Sequence, residues 1–313
     1  MKKNLLLFTM NSNSLANESR LNWRNVFYML AFFVLMTLPA FAQSDDANDL
    51  TVDDAKAIVE VMQQKADNGD VEMQVTVAKF YDMFIYGALD NLEPVLYATS
   101  MVKKYSKMAA DEGNADGMTL YAQRLADDGD LANAYEWYRM ASNLGNGDAT
   151  CAIGRFYLFG EEQLGIKEDE TKAYEYLRKS AEQKSPEGMA WLGFYYERIA
   201  QNYPEATKWY QESAELGCSF GMASLCYSYF VGGMGVDINL PVAYMWYKKA
   251  RTTCDASFWM TIVMINDITI NVKRGHKETV AFMEYCRSQG DELKPIESME
   301  FEDYMKENQK KNK

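Results

Sequence analysis

Five cysteines, one histidine and 45 acidic residues are the groups in this chain with which chemistry could be done. The lone histidine, His276, excludes a histidine-rich metal site and any two-histidine mechanism. No Cys–His nucleophile can be built with it, because a thiol becomes a strong nucleophile only beside a base that takes its proton. Gly232-Gly233-Met234-Gly235 has the composition of a phosphate loop. No Gly-Lys-Ser/Thr follows it, and Asp237 brings negative charge instead, so it reads as an interhelical turn. Asp127-Asp128-Gly129-Asp130 and Glu168-Asp169-Glu170 lack the spaced ligands and closing Glu of a calcium loop and read as solvated turns. A pair of carboxylates for glycosidic work cannot be picked from so many acids by sequence. No catalytic, cofactor-binding or metal-binding set is therefore expected, and binding is favoured over catalysis.

Charge and the first forty residues bound the setting. The 313 residues carry 32 Lys and Arg against 45 Asp and Glu, a net charge of −13, which argues against nucleic acid as a partner. Lys2, Lys3, Arg20 and Arg24 precede an apolar run from Val26 to Leu38, followed by Pro39 and Ala40-Phe41-Ala42. This is the layout of a signal peptide spanning 1–42, cleaved after Ala42. The apolar run is shorter than the roughly 20 residues that span a bilayer, so no stable membrane span is expected after cleavage. No cysteine precedes Cys151, so the junction is not a lipoprotein site. The expected location is periplasmic or secreted. Without those four bases and Glu18, 28 bases face 44 acids, a charge of −16, which favours a basic partner.

The elements that must hold any site come from an internal repeat. Trp137-Tyr138-Arg139-Met140-Ala141 returns as Tyr176-Leu177-Arg178-Lys179-Ser180, Trp209-Tyr210-Gln211-Glu212-Ser213 and Trp246-Tyr247-Lys248-Lys249-Ala250, with weaker copies at Val61, Tyr105 and Phe282. A period near 36 residues is that of a two-helix solenoid, in which each unit buries its apolar face only by stacking on its neighbours. Within the word, Ala134, Trp137 and Ala141 form an apolar stripe on a second helix, B. Gly113, Gly145 and Gly217 stand where helix B would end in a left-handed cap, with Lys184 and Cys254 in their place in two units. A first helix, A, then presents Gly117, Ala149, Gly188 and Gly221 for close packing.

Gly232-Gly233-Met234-Gly235-Val236-Asp237 followed by Leu240-Pro241-Val242-Ala243-Tyr244-Met245-Trp246-Tyr247-Lys248-Lys249-Ala250 resembles the Sel1-like repeat, a relative of the tetratricopeptide repeat. Gly160 to Asp169 resembles the same loop with an insertion. The resemblance implies an all-α, right-handed α/α solenoid of about six to seven two-helix repeats, of a kind with secreted bacterial members, whose A helices line a concave face and hold protein partners. The segments expected are a signal peptide (1–42), a flexible linker (43–50), the solenoid (51–290), and a C-terminal capping helix with a frayed tail (291–313). Some secreted members of the family staple helix pairs with cysteines eight residues apart. Cys218 and Cys226 have that separation but sit four positions late. Cys218 and Cys254 occupy nearly matching positions in adjacent units and could pair, the alternative being buried free thiols.

If helix A lines the groove, positions three, six, ten and thirteen past each cap face it. The candidate binding residues are Gln123, Arg155, Glu187, Phe194, Phe220 and Tyr227, with Arg155 the one cation among those positions. Aromatic and arginine side chains anchor many interfaces. The function expected is a non-catalytic scaffold for a protein or peptide. A cell-envelope enzyme acting on wall or polysaccharide material is the alternative.

Overall fold

The computed structural model describes residues 52–87, 92–232, 235–253 and 276–290. The expected signal peptide and linker, Cys254 and the expected C-terminal cap at 291–313 lie outside the described residues. Those described form twelve α-helices: α1 (Val52–Asp67), α2 (Val71–Gly87), α3 (Leu92–Asp111), α4 (Ala115–Asp127), α5 (Leu131–Asn143), α6 (Gly147–Phe159), α7 (Glu170–Glu182), α8 (Pro186–Arg198), α9 (Tyr203–Glu215), α10 (Ser219–Val231), α11 (Leu240–Thr252) and α12 (Lys277–Ser288). The fold is an all-α solenoid. Helix A packs on its own helix B in α2–α3, α4–α5, α6–α7, α8–α9 and α10–α11. With α1 before them and α12 after, they amount to about six repeats. The chain divides into two compact units, 1–144 and 145–313.

Local chemistry fixes where the helices begin and end. Asn114, Asp130, Asn146, Asp169, Ser185, Asn202 and Asn239 each accept a backbone N–H from the first turn of the helix that follows. Such caps satisfy donors that the helix itself leaves unpaired. Cys218 holds the same position before α10 and makes no side-chain cap bond. Gly113, Gly145 and Gly217 have φ of +86°, +92° and +95°, as the left-handed cap requires. Lys184 adopts φ of +65° at the equivalent place, so the turn survives without glycine.

The second unit shows how the pairs lock together. Ser180, buried near the end of α7, donates through Oγ to the carbonyl of Gly147 at 2.6 Å; Ser213, in α9, does the same to Pro186 at 2.7 Å. Each serine also marks a backbone approach. A Cβ at Gly188 would stand 1.9 Å from Ser180 Oγ, and one at Gly221 would stand 2.5 Å from Ser213 Oγ. The small residues expected on helix A are therefore obligatory here.

The stripe on helix B differs in one respect from the expectation. Trp137, Tyr176 and Trp209 are half-buried, whereas the next residues, Tyr138, Leu177, Tyr210 and Tyr247, are buried. The core stripe runs i, i+4, i+7 from the small residues Ala134, Ala173, Ala206 and Ala243. At about 100° per residue, positions i+3 and i+4 flank the same direction, and the pair interface takes the second. The first goes to the edge of the pair, as where Trp137 meets Tyr121 edge-on at 5.7 Å between ring centroids.

Candidate functional site

In the second unit α8 packs directly on α6 and on α10, so three A helices lie side by side. Arg155 projects from α6 and Glu187 from the first turn of α8. Arg155 Nη1 donates to Glu187 Oε1 at 3.2 Å, and Trp191 Nε1 donates to the same oxygen at 3.3 Å. The Arg155 guanidinium lies 4.7 Å from the centre of the Trp191 ring. One carboxylate oxygen thus orients both a cation and the indole that the cation covers, an arrangement that strengthens as water is excluded.

Aromatic rings extend from this point. Phe159, the last residue of α6, meets Trp191 at 5.7 Å and Phe194 at 6.2 Å. Trp191 meets Phe194 at 5.3 Å and Phe220 at 5.0 Å. Trp191 is buried and Phe194 half-buried, but Phe159 keeps 53% of its surface exposed. Arg198 closes the far side, its guanidinium 6.0 Å from the Phe194 ring and its Nε 2.9 Å from Glu197 Oε1. Glu197 is itself nearly buried and accepts a hydrogen bond from Tyr210 at 2.8 Å. Phe159 is thus an exposed aromatic packed on Trp191 and Phe194, each of which also carries an arginine, Arg155 on the first and Arg198 on the second.

Of the six residues expected from sequence, this cluster joins Arg155, Glu187, Phe194 and Phe220. Gln123 is half-buried on α4, in the first unit. Tyr227, on α10, packs edge-on against Phe230 at 5.2 Å. Phe220 was expected on the groove face. It is a core residue, 5% exposed, packed between Trp191 and Tyr210. The positions six and thirteen past the cap also turn inward: Cys151, Ala190, Leu158 and Phe230 are buried. Positions seven and fourteen hold Trp191, Phe159 and Arg198, which the sequence reading passed over. Both series, three, six, ten, thirteen and three, seven, ten, fourteen, alternate steps of three and four, and their faces are centred about 50° apart, so spacing alone did not choose the second.

The buried thiols of the second unit are not poised as nucleophiles. Burial pushes the Cys151 and Cys226 thiols well above their ordinary range, so both stay protonated. Cys218 is buried at the head of α10, and its suggested partner, Cys254, lies outside the described residues. Among the described residues no group of three His, Cys, Asp or Glu could hold a metal ion, and no helix is long and apolar enough to cross a membrane.

Comparison with known proteins places this architecture. The Sel1 repeat family matches residues 121–146, 147–185, 186–218 and 219–251, with junctions that fall between one helix pair and the next. Residues 121–251 are thus similar to four consecutive Sel1 repeats. Among solved structures, it is 19% identical to a protective antigen of uropathogenic Escherichia coli with an SLR fold, covering 84% of this chain and 60% of that one, with a TM-score of 0.48. It is 17% identical to a Sel1 repeat protein from Oxalobacter formigenes, covering 83% and 95%, with a TM-score of 0.45. A Sel1 repeat protein from Klebsiella pneumoniae is 16% identical, covering 60% and 93%, also with a TM-score of 0.45. No curated protein matches. The three A helices that carry the aromatic cluster are the first helices of the second, third and fourth matched Sel1 repeats.

Proposed function

We propose that the protein is a non-catalytic scaffold that holds a protein or peptide partner on the A-helix face of its second unit, outside the cytoplasm. The observation that carries this is Phe159, half-exposed at the end of α6 and packed on Trp191 and Phe194, the two rings that Arg155 and Arg198 also cover. Folding does not require a phenylalanine left half in water, whereas a partner would gain from covering it. The similarity to a repeat family that presents helix faces, and the protonated state of the buried thiols, support binding over catalysis. The export layout of residues 1–42 supports a periplasmic or secreted location.

Crosslinking of envelope and secreted fractions, read by mass spectrometry, tests the assignment. Crosslinks from the wild type should map to α6 and α8. They should disappear in the triple variant Arg155→Glu, Phe159→Ser, Phe194→Ala with helicity unchanged. Crosslinks that persist in the variant would remove the face from the account.

A further inference from the structure

The overall charge of −13 points to a basic partner, but the A-helix face of the second unit has the opposite local character. We infer that this face takes an acidic linear peptide, anchored by one aromatic or large aliphatic side chain laid on Phe159. The inference rests on the binding role proposed above and adds the chemistry of the partner.

The argument is one of which charges a ligand would meet. Every carboxylate on the three helices near the cluster already accepts hydrogen bonds from the chain itself. Asp148 accepts from Ser185 Oγ, Glu187 from Arg155 and Trp191, and Glu197 from Tyr210. Glu187 and Glu197 are also withdrawn, with side chains 25% and 10% exposed. The arginines paired with them stand further out, at 45% and 62%. Arg155 uses Nη1 for Glu187, and Arg198 uses Nε for Glu197. A guanidinium has five N–H donors in a planar fork, so each keeps donors for a second carboxylate. What faces solvent is therefore an apolar ring whose two aromatic neighbours each carry a cation, and the paired carboxylates are less exposed than those cations. At physiological ionic strength fields between exposed charges fade over about 8 Å, so distant acids steer weakly; of the nearer ones that follow Phe159, Glu161 accepts from the Gln163 backbone and exposed Glu162 is the acid that competes with the two arginines. Arg155 is already held by its stack on Trp191, which lowers the ordering cost of accepting a carboxylate.

The test is selection from a randomised linear peptide library displayed against the full chain, repeated with Arg155→Glu and with Phe159→Ser. Sequences with Asp or Glu within a few positions of an aromatic or large aliphatic residue should be enriched. Synthesised individually, such peptides should bind at least about tenfold more weakly to each variant, and more weakly to the wild type as salt is raised. Enrichment of Lys- or Arg-flanked peptides that is lost with Phe159→Ser would overturn the acidic partner and leave the binding face standing. No enrichment, as when a second copy of the chain covers the face, or enrichment indifferent to both variants, would overturn both. Circular dichroism of each variant separates loss of binding from loss of fold.

Discussion

Arg124 in the first unit and Arg155 in the second sit on the same helix of successive repeats, eleven residues past Gly113 and ten past Gly145. That one-residue difference turns the side chain by about 100°. Arg124 enters the core, 5% exposed, where it meets Asp82 of α2 at 3.5 Å and Asp127 at 2.9 Å. Arg155 reaches the surface, 45% exposed, over Trp191. The neighbouring A helices of the first unit, α2 and α4, are joined by ion pairs, Asp82–Arg124 and the exposed Lys79–Asp116 at 2.6 Å. Those of the second, α6 and α8, are joined by an ion pair set among aromatic rings. One backbone repeat thus yields a buried arginine in one place and a surface arginine stacked on a tryptophan in the other.

Breaking the buried pair should have the largest effect. Arg124→Ala leaves Asp82 buried without its cation and should cost about 3–5 kcal/mol, read from the urea unfolding of the first unit by circular dichroism. Next comes acid. Burial pushes the Asp82 carboxyl up to about 6 from an ordinary 3.8, outweighing the opposing pull of Arg124. A raised folded value favours the protonated native state. The contribution is therefore full below about pH 4 and is lost as pH rises through about 6. The stability difference between wild type and Asp82→Asn should shift by on the order of 3 kcal/mol across that window, and an absent slope would contradict the buried carboxyl.

Two further changes sharpen the contrast in packing. Gly188→Ala should destabilise the second unit by about 1–3 kcal/mol, because Ser180 Oγ is held by the Gly147 carbonyl and cannot easily give way. In the first unit α4 keeps the close approach at Gly117, but α2 carries Met73 at the corresponding position, half-buried, so Met73→Ala should be the milder substitution in a thermal melt. The smallest effect on stability belongs to Arg155→Ala. An ion pair with one partner nearly half-exposed is worth no more than about 1 kcal/mol, so unfolding should barely change.

The fold was readable from sequence wherever backbone geometry demands a particular residue. Gly113, Gly145 and Gly217 announced left-handed turns, and Gly117, Gly188 and Gly221 announced close helix packing. Asn or Asp before α4, α5, α6, α7, α9 and α11 are further signals of the same kind. The aromatic cluster was readable only in part. Arg155, Glu187 and Phe194 stand at periodic positions that the sequence reading named. Trp191 and Phe159 were passed over, because the face through three, six, ten and thirteen is centred about 50° from the one that holds them and a phenylalanine beside Gly160 looks like any helix end. Phe220 was misread because its need to be apolar comes from Trp191 and Tyr210, residues on other helices that no spacing within α10 reveals.

The most direct test compares the two units in the cell. A photo-crosslinking phenylalanine analogue is placed at Phe159 in one strain and at Gln123 in another, each with and without Arg155→Glu. The account predicts a discrete partner adduct from position 159 that Arg155→Glu abolishes, and none from position 123. An adduct from position 123, or one at 159 that survives Arg155→Glu, would contradict it.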